Sequence, residues 1–292
     1  MIHASGLTKV FRHQRVLDCL ELRVAAGERV ALVGANGAGK TTLIRCLLGE
    51  YAHEGAVTID GRAPRTHRQE VLRRVGFVPQ LPPPLHMPVG GLLCFAAEVC
   101  GSDPARMEAV SCRLGLEPRS LWRRPFAKLS GGQKQKLLIA VALGRSCDLL
   151  ILDEPAANLD PQARRSFFDL LAERQESTTM LISSHRIDEV ASLVTRVVEL
   201  DQGRVVLDDR VDGGAGLGVV LRCRIELVRP VEAVAKALLA WGLVSSNSGT
   251  LFEGTIAGPD RLRFLGAIAR YSGALRALEL AEPGAGTESV GR

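Results

Sequence analysis

Residues 30–42 read Val-Ala-Leu-Val-Gly-Ala-Asn-Gly-Ala-Gly-Lys-Thr-Thr, and residues 43–48 continue with Leu-Ile-Arg-Cys-Leu-Leu. The apolar run at 30–33 predicts a buried strand, and the apolar spacing after Lys40 predicts a helix. The loop between them matches G-x-x-x-x-G-K-[ST], the pattern of a phosphate-binding loop, in the strand–loop–helix context that this pattern requires. The stretch therefore predicts an α/β fold that holds a phosphorylated ligand.

The residue types in this loop have chemical reasons to be there. Glycines let backbone N–H groups turn toward a phosphate, and the helix N-terminus adds its partial positive charge. The ammonium of Lys40 can reach the outer phosphates of a nucleotide, and the hydroxyl of Thr41 can ligate Mg²⁺. The predicted phosphate-binding residues are Gly34, Ala35, Asn36, Gly37, Ala38, Gly39, Lys40, Thr41 and Thr42.

A second segment carries carboxylates at the end of a predicted strand. Residues 149–155 read Leu-Leu-Ile-Leu-Asp-Glu-Pro. A strand end holds Asp153 rigidly, where it can bind Mg²⁺ through water, while Glu154 can polarise an attacking water. An apolar run followed by Asp-Glu is common, so this interpretation depends on the phosphate-binding loop that precedes it.

Between these two segments, residues 129–133 read Leu-Ser-Gly-Gly-Gln and open an apolar helical stretch at 137–143. Ser130 is a good helix N-cap, and the two glycines that follow leave backbone donors uncovered. This LSGGQ segment therefore predicts a second anion-binding site, with no phosphate-binding loop of its own nearby in sequence.

The order of the three segments resembles that of the ATP-binding-cassette (ABC) ATPases, over about residues 1–210. The resemblance implies a P-loop NTPase fold with an inserted helical subdomain at about residues 81–146, and the cofactors ATP and Mg²⁺. In that family two subunits pack head to tail, and the LSGGQ segment of one closes over the γ-phosphate held by the other. It therefore implies that Ser130, Gly131, Gly132 and Gln133 face the ATP of a second copy.

Further site residues follow from the same resemblance. Phe11 resembles the aromatic residue that stacks on adenine, and Gln80 resembles the glutamine that senses Mg²⁺ and the attacking water. Asp160, in Asn158-Leu159-Asp160, resembles the D-loop residue that crosses the dimer interface, and His185 resembles the switch histidine that contacts the γ-phosphate. The implied catalytic residues are Glu154, His185 and Gln80, and the implied metal-binding residues are Thr41, Gln80 and Asp153.

Two segments depart from the family pattern. Residues 157–160 read Ala-Asn-Leu-Asp where Ser-Gly-Leu-Asp is common, and Lys136 stands where arginine often follows the LSGGQ segment. Neither change removes a phosphate, metal or base group, so we expect an altered rate rather than lost activity.

Composition excludes several classes of protein. Hydrophobic residues make up 46% and charged residues 24%, which excludes disordered, collagenous and small disulfide-scaffold chains. Seven cysteines without a C-x-x-C pair favour reduced thiols over a disulfide framework, and a metal or redox role for them is the less favoured alternative. The excess of 37 basic over 32 acidic residues hints at nucleic acid, but aromatic residues are only 4%, so no nucleic-acid partner is expected. No apolar run approaches the roughly 18 residues that cross a bilayer.

The C-terminal part predicts a small second domain. Residues 211–216 are rich in glycine and indicate a linker, and residues 282–292 indicate a disordered tail. Residues 217–281 predict a βαββαβ pattern: a strand at 221–227, a helix that Pro230 starts and Gly242 ends, a hairpin at 244–257, a helix at 260–271 and a strand at 274–280. This pattern suggests an α+β ferredoxin-like domain, with a dimerising or regulatory role.

The leading functional hypothesis is the energising subunit of an ABC transporter. The resemblance implies separate transmembrane permease subunits, a homodimer, and a cytoplasmic position on the inner face of the membrane. Residues 61–64 and 73–79 resemble ABC-2-type exporters, and also the cassette that serves copper-site maturation of nitrous oxide reductase. Apolar residues 92–97 could contact the permease or equally form a helix core. A soluble ABC ATPase acting on ribosomes or nucleic acid is the alternative from another class, but one cassette without a heptad run disfavours it.

Overall fold

The computed structural model describes residues 1–174, 178–185, 190, 193–210, 220–246, 249–257, 264, 268 and 271–281. The chain divides into two compact units. The larger unit contains residues 1–186 and 193–210, and the smaller contains residues 187–192 and 211–292.

The larger unit is built on two sheets. The strands are β1 (Ile2–Phe11), β2 (Gln14–Val24), β3 (Arg29–Val33), β4 (Glu54–Ile59), β5 (Val75–Val78), β6 (Leu149–Asp153), β7 (Thr179–Ser183), β8 (Arg196–Asp201) and β9 (Arg204–Arg210). The helices are α1 (Lys40–Leu47), α2 (Arg68–Arg73), α3 (Val89–Cys100), α4 (Pro104–Arg113), α5 (Gly131–Leu143) and α6 (Pro161–Ala172). An antiparallel sheet has the order β2-β1-β4, and a mixed sheet has the order β5-β6-β7-β3-β8-β9.

The mixed sheet positions the site. Its strands from β5 to β8 run parallel, and β9 pairs antiparallel with β8. Every residue of β6 is buried, as expected for a central strand covered on both faces. Because the carboxyl ends of parallel strands meet at one edge, the segments that follow β3, β5, β6 and β7 converge there. The predicted α/β P-loop fold is confirmed.

The helical part between β5 and β6 has its own core. Val89, Leu93, Met107, Phe126 and Leu137 are fully buried there, within the predicted insertion. Most of the apolar stretch at 92–97 contributes to this core, whereas the side chain of Phe95 is 56% exposed. Gly90 is required by packing, because a Cβ atom at that position would lie 2.2 Å from the indole ring of Trp122.

The smaller unit contains a four-stranded sheet. Its elements are β10 (Val220–Leu227), α7 (Glu232–Ala240), β11 (Val244–Ser246), β12 (Leu251–Ala257) and β13 (Leu275–Ala281). The strand order is β11-β12-β10-β13, and each neighbouring pair is antiparallel. Its core includes Ile225, Leu238, Phe252, Phe264 and Ile268.

Some predicted boundaries of the smaller unit differ from the structure. The helix begins at Glu232 rather than Pro230, because Val231 is its N-cap and has extended backbone angles. The predicted linker and tail lie outside the described residues, as does most of the predicted helix at 260–271. In the part of the chain that the structure describes, no helix combines the length and apolar character needed to cross a bilayer.

Candidate functional site

The phosphate-binding loop connects β3 to α1. Gly34, Gly37 and Gly39 have φ values of 146°, 86° and 110°, a region that residues with a Cβ rarely adopt. At Gly34 a Cβ atom would also lie 2.3 Å from the carbonyl oxygen of Leu200 on β8. Gly39 is the N-cap of α1 and offers no capping side chain. The first N–H groups of α1 therefore have no side-chain cap and can serve an anion.

Lys40 is a buried cation at the start of α1. Its side chain is only 6% exposed, and its Nζ donates to the carbonyl oxygens of Gly34 and Ala35 at 2.7 and 3.1 Å. Burial lowers the pKa of Lys40, and the carboxylates of Glu154 and Asp153 oppose that shift. A phosphate is a stronger acceptor for an ammonium than these carbonyls are, so the loop holds Lys40 where a phosphate would compete for it.

Asp153 ends β6 and is 2% exposed. Its Oδ1 accepts a 2.7 Å hydrogen bond from Ser183 Oγ, and the Thr41 hydroxyl lies near enough to lower the pKa of this carboxyl group as well. Burial raises the pKa of Asp153 in spite of these two hydroxyl groups. Two residues predicted to bind the metal, Thr41 and Asp153, therefore lie close together.

Glu154 follows Asp153, and its carboxylate lies close to the side chains of the two other predicted catalytic residues. Its Oε2 accepts a 3.2 Å hydrogen bond from Gln80 Nε2 and lies 3.5 Å from His185 Nδ1. Its Oε1 lies 3.9 Å from Lys40 Nζ. The backbone of Glu154 has φ 44°, a left-handed conformation that costs about 1–3 kcal/mol for a residue with a side chain. The structure thus places Gln80, Glu154 and His185 together and fixes Glu154 in a strained position.

Ser183 is a contributor to the site that the sequence motifs did not single out. Its hydroxyl donates to Asp153 and accepts the backbone N–H of Glu154 at 2.9 Å, and its side chain is fully buried. A signal for it existed: β6 and β7 are parallel neighbours, and Asp153 pairs with Ser183 in their register. One buried hydroxyl therefore connects a predicted metal ligand with the strained residue beside it.

The LSGGQ segment forms a capped helix start. Ser130 Oγ accepts from the Gln133 N–H at 3.2 Å, and Gln133 Oε1 accepts from the Ser130 N–H at 3.0 Å, so both residues form a capping box. Ser130 and Gly131 are exposed, and Gly132 is partly exposed. The backbone donors beside the cap are therefore open to an incoming anion.

Contacts join α5 to the segment that contains Asp160. Lys136 Nζ lies 2.7 Å from Asp160 Oδ2, and buried Gln135 donates to the Pro155 carbonyl at 3.0 Å. Asp160 also caps α6 through the Ala163 N–H at 2.9 Å. The structure therefore arranges the predicted residues of one chain in two groups, one around Lys40 and Glu154 and one around Ser130 and Asp160.

Phe11, the predicted adenine-stacking residue, lies at the end of β1 with 38% of its side chain exposed. Tyr51 packs against it edge to face at 5.2 Å, and Lys9 Nζ lies 4.5 Å from its ring centre. Lys9 and Tyr51 were not predicted. They hold the Phe11 ring in place and leave part of it accessible.

The fold and this site define a P-loop nucleotide-binding ATPase. Residues 17–157 match the family model described as "ABC transporter". A putative ABC transporter ATP-binding protein of Geobacter sulfurreducens is 40% identical over 220 residues, which cover 73% of this chain and 87% of that protein. A phosphonates import ATP-binding protein of Natronomonas pharaonis is 35% identical over 218 residues, which cover 71% of this chain and 93% of that protein.

Solved structures agree with these relatives. An ATP-binding subunit of an ABC transporter is similar with a TM-score of 0.65 and 28% identity, over 73% of this chain and 90% of that one. A dimeric ATP-binding cassette in a post-hydrolysis state, bound to ADP and Pi, shares the fold with a TM-score of 0.64 and 23% identity, over 73% of this chain and 100% of that one. The chain belongs to the ABC transporter ATP-binding family. It is the ATP-binding subunit of an ABC transporter, and it hydrolyses ATP.

Proposed function

We propose that two copies of this chain close head to tail around two ATP molecules and so drive a separate membrane permease. The observation that carries this proposal is the division of the predicted phosphate-binding residues into two groups within one chain. Each group supplies half of an ATP site, and a second copy supplies the other half. The dimeric state of the related cassette bound to ADP and Pi supports this arrangement.

Mg²⁺ fits the donor set formed by Asp153 and Thr41. A carboxylate with a hydroxyl oxygen close by offers the oxygen ligands that this cation prefers, and phosphate oxygens and water would complete the shell. Burial is the main cause of the raised pKa of Asp153, and the charge of Lys40 offsets it only in part, so a divalent cation would supply further positive charge beside this carboxylate. Bound there, Mg²⁺ would neutralise part of the negative charge on the outer phosphates.

The side chains of the site have distinct tasks in hydrolysis. Glu154 accepts a hydrogen bond from Gln80 at one oxygen and lies near Lys40 at the other, so it can orient and polarise a water molecule. Gln80 and His185 hold the Glu154 carboxylate in place. Lys40 and the loop N–H groups neutralise the phosphates, while Ser130 and Gly132 of the second copy complete the cage. Phe11 stacks on the adenine ring.

Replacing Glu154 with glutamine tests the closed dimer. The amide keeps the size of the side chain but cannot accept the proton of water, so Glu154→Gln should bind ATP, fail to hydrolyse it and accumulate as a dimer. Size-exclusion chromatography with saturating ATP and Mg²⁺ measures this. Glu50→Gln, the same change at an exposed position, is the matched control and should retain turnover. An E154Q protein that elutes as a monomer at saturating ATP would contradict the proposal.

The permease and the membrane position belong to the same proposal. Leu81 follows Gln80 directly and is 72% exposed, and Phe95 lies on α3 and is 56% exposed. Such exposed apolar side chains suit contact with a membrane subunit. We expect the chain to lie on the inner face of the cell membrane through that partner. Co-purification with a multi-span protein would support this, and co-purification with ribosomes would contradict it. The named transporter relatives do not favour the ribosome or nucleic-acid alternative.

The direction of transport rests on residues 61–64 and 73–79, which resemble export-type cassettes and the copper-maturation cassette. Relatives of this chain include one named for phosphonate import, which does not favour that assignment. The neighbouring genes provide the test. A multi-span permease alone supports export, an adjacent periplasmic copper-protein system supports maturation, and a gene for an extracellular binding protein contradicts both.

For the smaller unit we propose a ferredoxin-like fold with a dimerising or regulatory role. The order β11-β12-β10-β13, with antiparallel neighbours throughout, agrees with the predicted βαββαβ pattern. Its role rests on fold analogy.

A further inference from the structure

A recess of about 940 Å³ lies at the amino-terminal ends of β5 and β6. This is the edge of the sheet opposite the ATP site, which lies at the carboxyl ends of the strands. The recess is lined by five arginines from four segments of the larger unit: Arg73, Arg74, Arg106, Arg145 and Arg174. Such a concentration of guanidinium groups is not explained by the ATPase site.

The acidic residues of the recess do not balance this charge. Asp148 pairs with Arg74 at 2.7 Å. Glu173 is engaged by Arg113, which binds both of its carboxylate oxygens at 2.6 Å from outside the recess. Among the described residues, no carboxylate pairs with the remaining four arginines of the recess. Within the described residues, these four positive charges are therefore uncompensated.

Three of these four arginines are held by neutral acceptors. Arg145 Nη2 donates to the Leu72 carbonyl at 3.0 Å, and Arg174 Nη2 donates to the Leu143 carbonyl. Arg106 Nη1 donates to Ser146 Oγ at 3.4 Å. Arg145 Nε is shielded from solvent and has no acceptor in the part of the chain that the structure describes. A guanidinium offers five donors, so these contacts fix the groups and leave further N–H bonds for a ligand.

We propose that this recess is a second anion site, which binds a phosphorylated small molecule with at least two phosphate groups. The planar guanidinium matches phosphate oxygens in a two-bond geometry, so several of them favour more than one phosphate. The volume is in the range of small-molecule pockets, which favours a compact ligand over an extended polymer. Arginines already fixed by carbonyl groups lose little freedom on binding. This site is separate from the proposed ATP site.

Pyrophosphate is a suitable probe, provided that the ATP site cannot bind it. The full-length Lys40→Ala chain serves as the background, and isothermal titration calorimetry measures the affinity. Arg73→Gln with Arg106→Gln removes two charges from exposed positions of the recess. Arg123→Gln with Arg165→Gln removes the same charge from exposed positions outside it. We expect one pyrophosphate per chain. The affinity should be weaker by about tenfold or more in the recess variant and unchanged in the control.

Three results would overturn the proposal. The first is the absence of pyrophosphate binding in the K40A background, and the second is an equal affinity in the recess and control variants. The third is tighter binding of a poly-glutamate peptide than of pyrophosphate, because it would assign the recess to an acidic protein segment. Circular dichroism checks that all variants are folded. Arg73→Gln with Arg106→Gln in the otherwise natural chain should leave ATP hydrolysis unchanged, which separates this site from the ATP site.

Discussion

Asp153 is a carboxylate in surroundings that disfavour its charge. Burial raises its pKa above the usual 3.8, although the hydroxyl groups of Ser183 and Thr41 both act to lower it. A carboxyl group with a raised pKa contributes stability at low pH, and that contribution is lost as the pH rises through the folded-state pKa. Above the folded-state pKa, the ionised Asp153 therefore destabilises the nucleotide-free protein, and a bound cation would remove that cost.

Asparagine at this position should separate stability from function. Asp153→Asn removes the buried charge, so we expect a larger free energy of unfolding at pH 7 without nucleotide, together with loss of ATP hydrolysis. The gain should shrink as the pH falls through the folded-state pKa of Asp153, where its carboxyl group becomes protonated. Urea unfolding at pH 7 and over a series of lower pH values measures the effect, and Asp209→Asn at an exposed position is the control. A D153N protein less stable than the natural chain at pH 7 would contradict the argument.

Ser183 acts through its neighbours, since its hydroxyl contacts Asp153 and the backbone of Glu154. Ser183→Ala leaves both groups without that partner, so we expect kcat to fall about tenfold or more while the KM for ATP changes little. The lost buried hydrogen bond should also cost about 1–3 kcal/mol of stability.

Ser111→Ala is the control for Ser183, because Ser111 is equally buried and donates to the Leu116 carbonyl at 2.8 Å in the helical part. It should lose comparable stability and keep its kcat. Steady-state kinetics and urea unfolding of both variants distinguish positioning from general stability. Equal kcat values for S183A and S111A would assign Ser183 a structural role alone.

At the scale of elements, Ser130 combines two tasks at the start of α5. It caps the helix in the isolated chain, and we propose that it contacts the γ-phosphate held by a second copy. Ser130→Ala should lose the cap, about 1 kcal/mol of stability, and ATP turnover. Ser130→Asp should keep the cap but place a negative charge against that phosphate.

The Asp variant therefore separates the two tasks. We expect S130D to match the natural chain in urea unfolding and to hydrolyse ATP no faster than S130A. Glu154→Gln combined with Ser130→Asp should also fail to form the ATP-bound dimer in size-exclusion chromatography. A stable S130D protein with full turnover would show that this residue does not face a phosphate.

Local patterns predict most elements of the larger unit and most of the candidate site residues. The loop at 34–42 and the strand that ends at Asp153 are contiguous in sequence, so composition and spacing identify them. Contacts between segments did not follow from such patterns. The Lys136–Asp160 ion pair depends on where α5 lies relative to the residue that caps α6, and the link from Ser183 to Asp153 depends on strand order. The arginine recess collects residues that are about 100 positions apart.

For the whole molecule, three hydrophobic clusters formed by the described residues each lie within one of the two units. The larger unit packs around β3, α1 and β6 and around its helical part, whereas the smaller packs around β10 and β12. Residues of the ATP site that the structure describes lie in the larger unit. A ligand of that site should therefore stabilise the larger unit directly and leave the stability of the smaller unit unchanged.

Differential scanning calorimetry can test this independence. ADP at about 100 times its Kd should stabilise the larger unit by about 2.7 kcal/mol and raise one thermal transition. Ile225→Val removes a methylene group from the fully buried core of the smaller unit and should lower the other transition, at a cost of about 0.5–1.5 kcal/mol. The matched change Ile151→Val in the buried strand β6 should instead lower the transition that ADP raises. A single transition that moves with all three perturbations would mean that the units unfold together, and the smaller unit would then contribute to the stability of the ATPase itself.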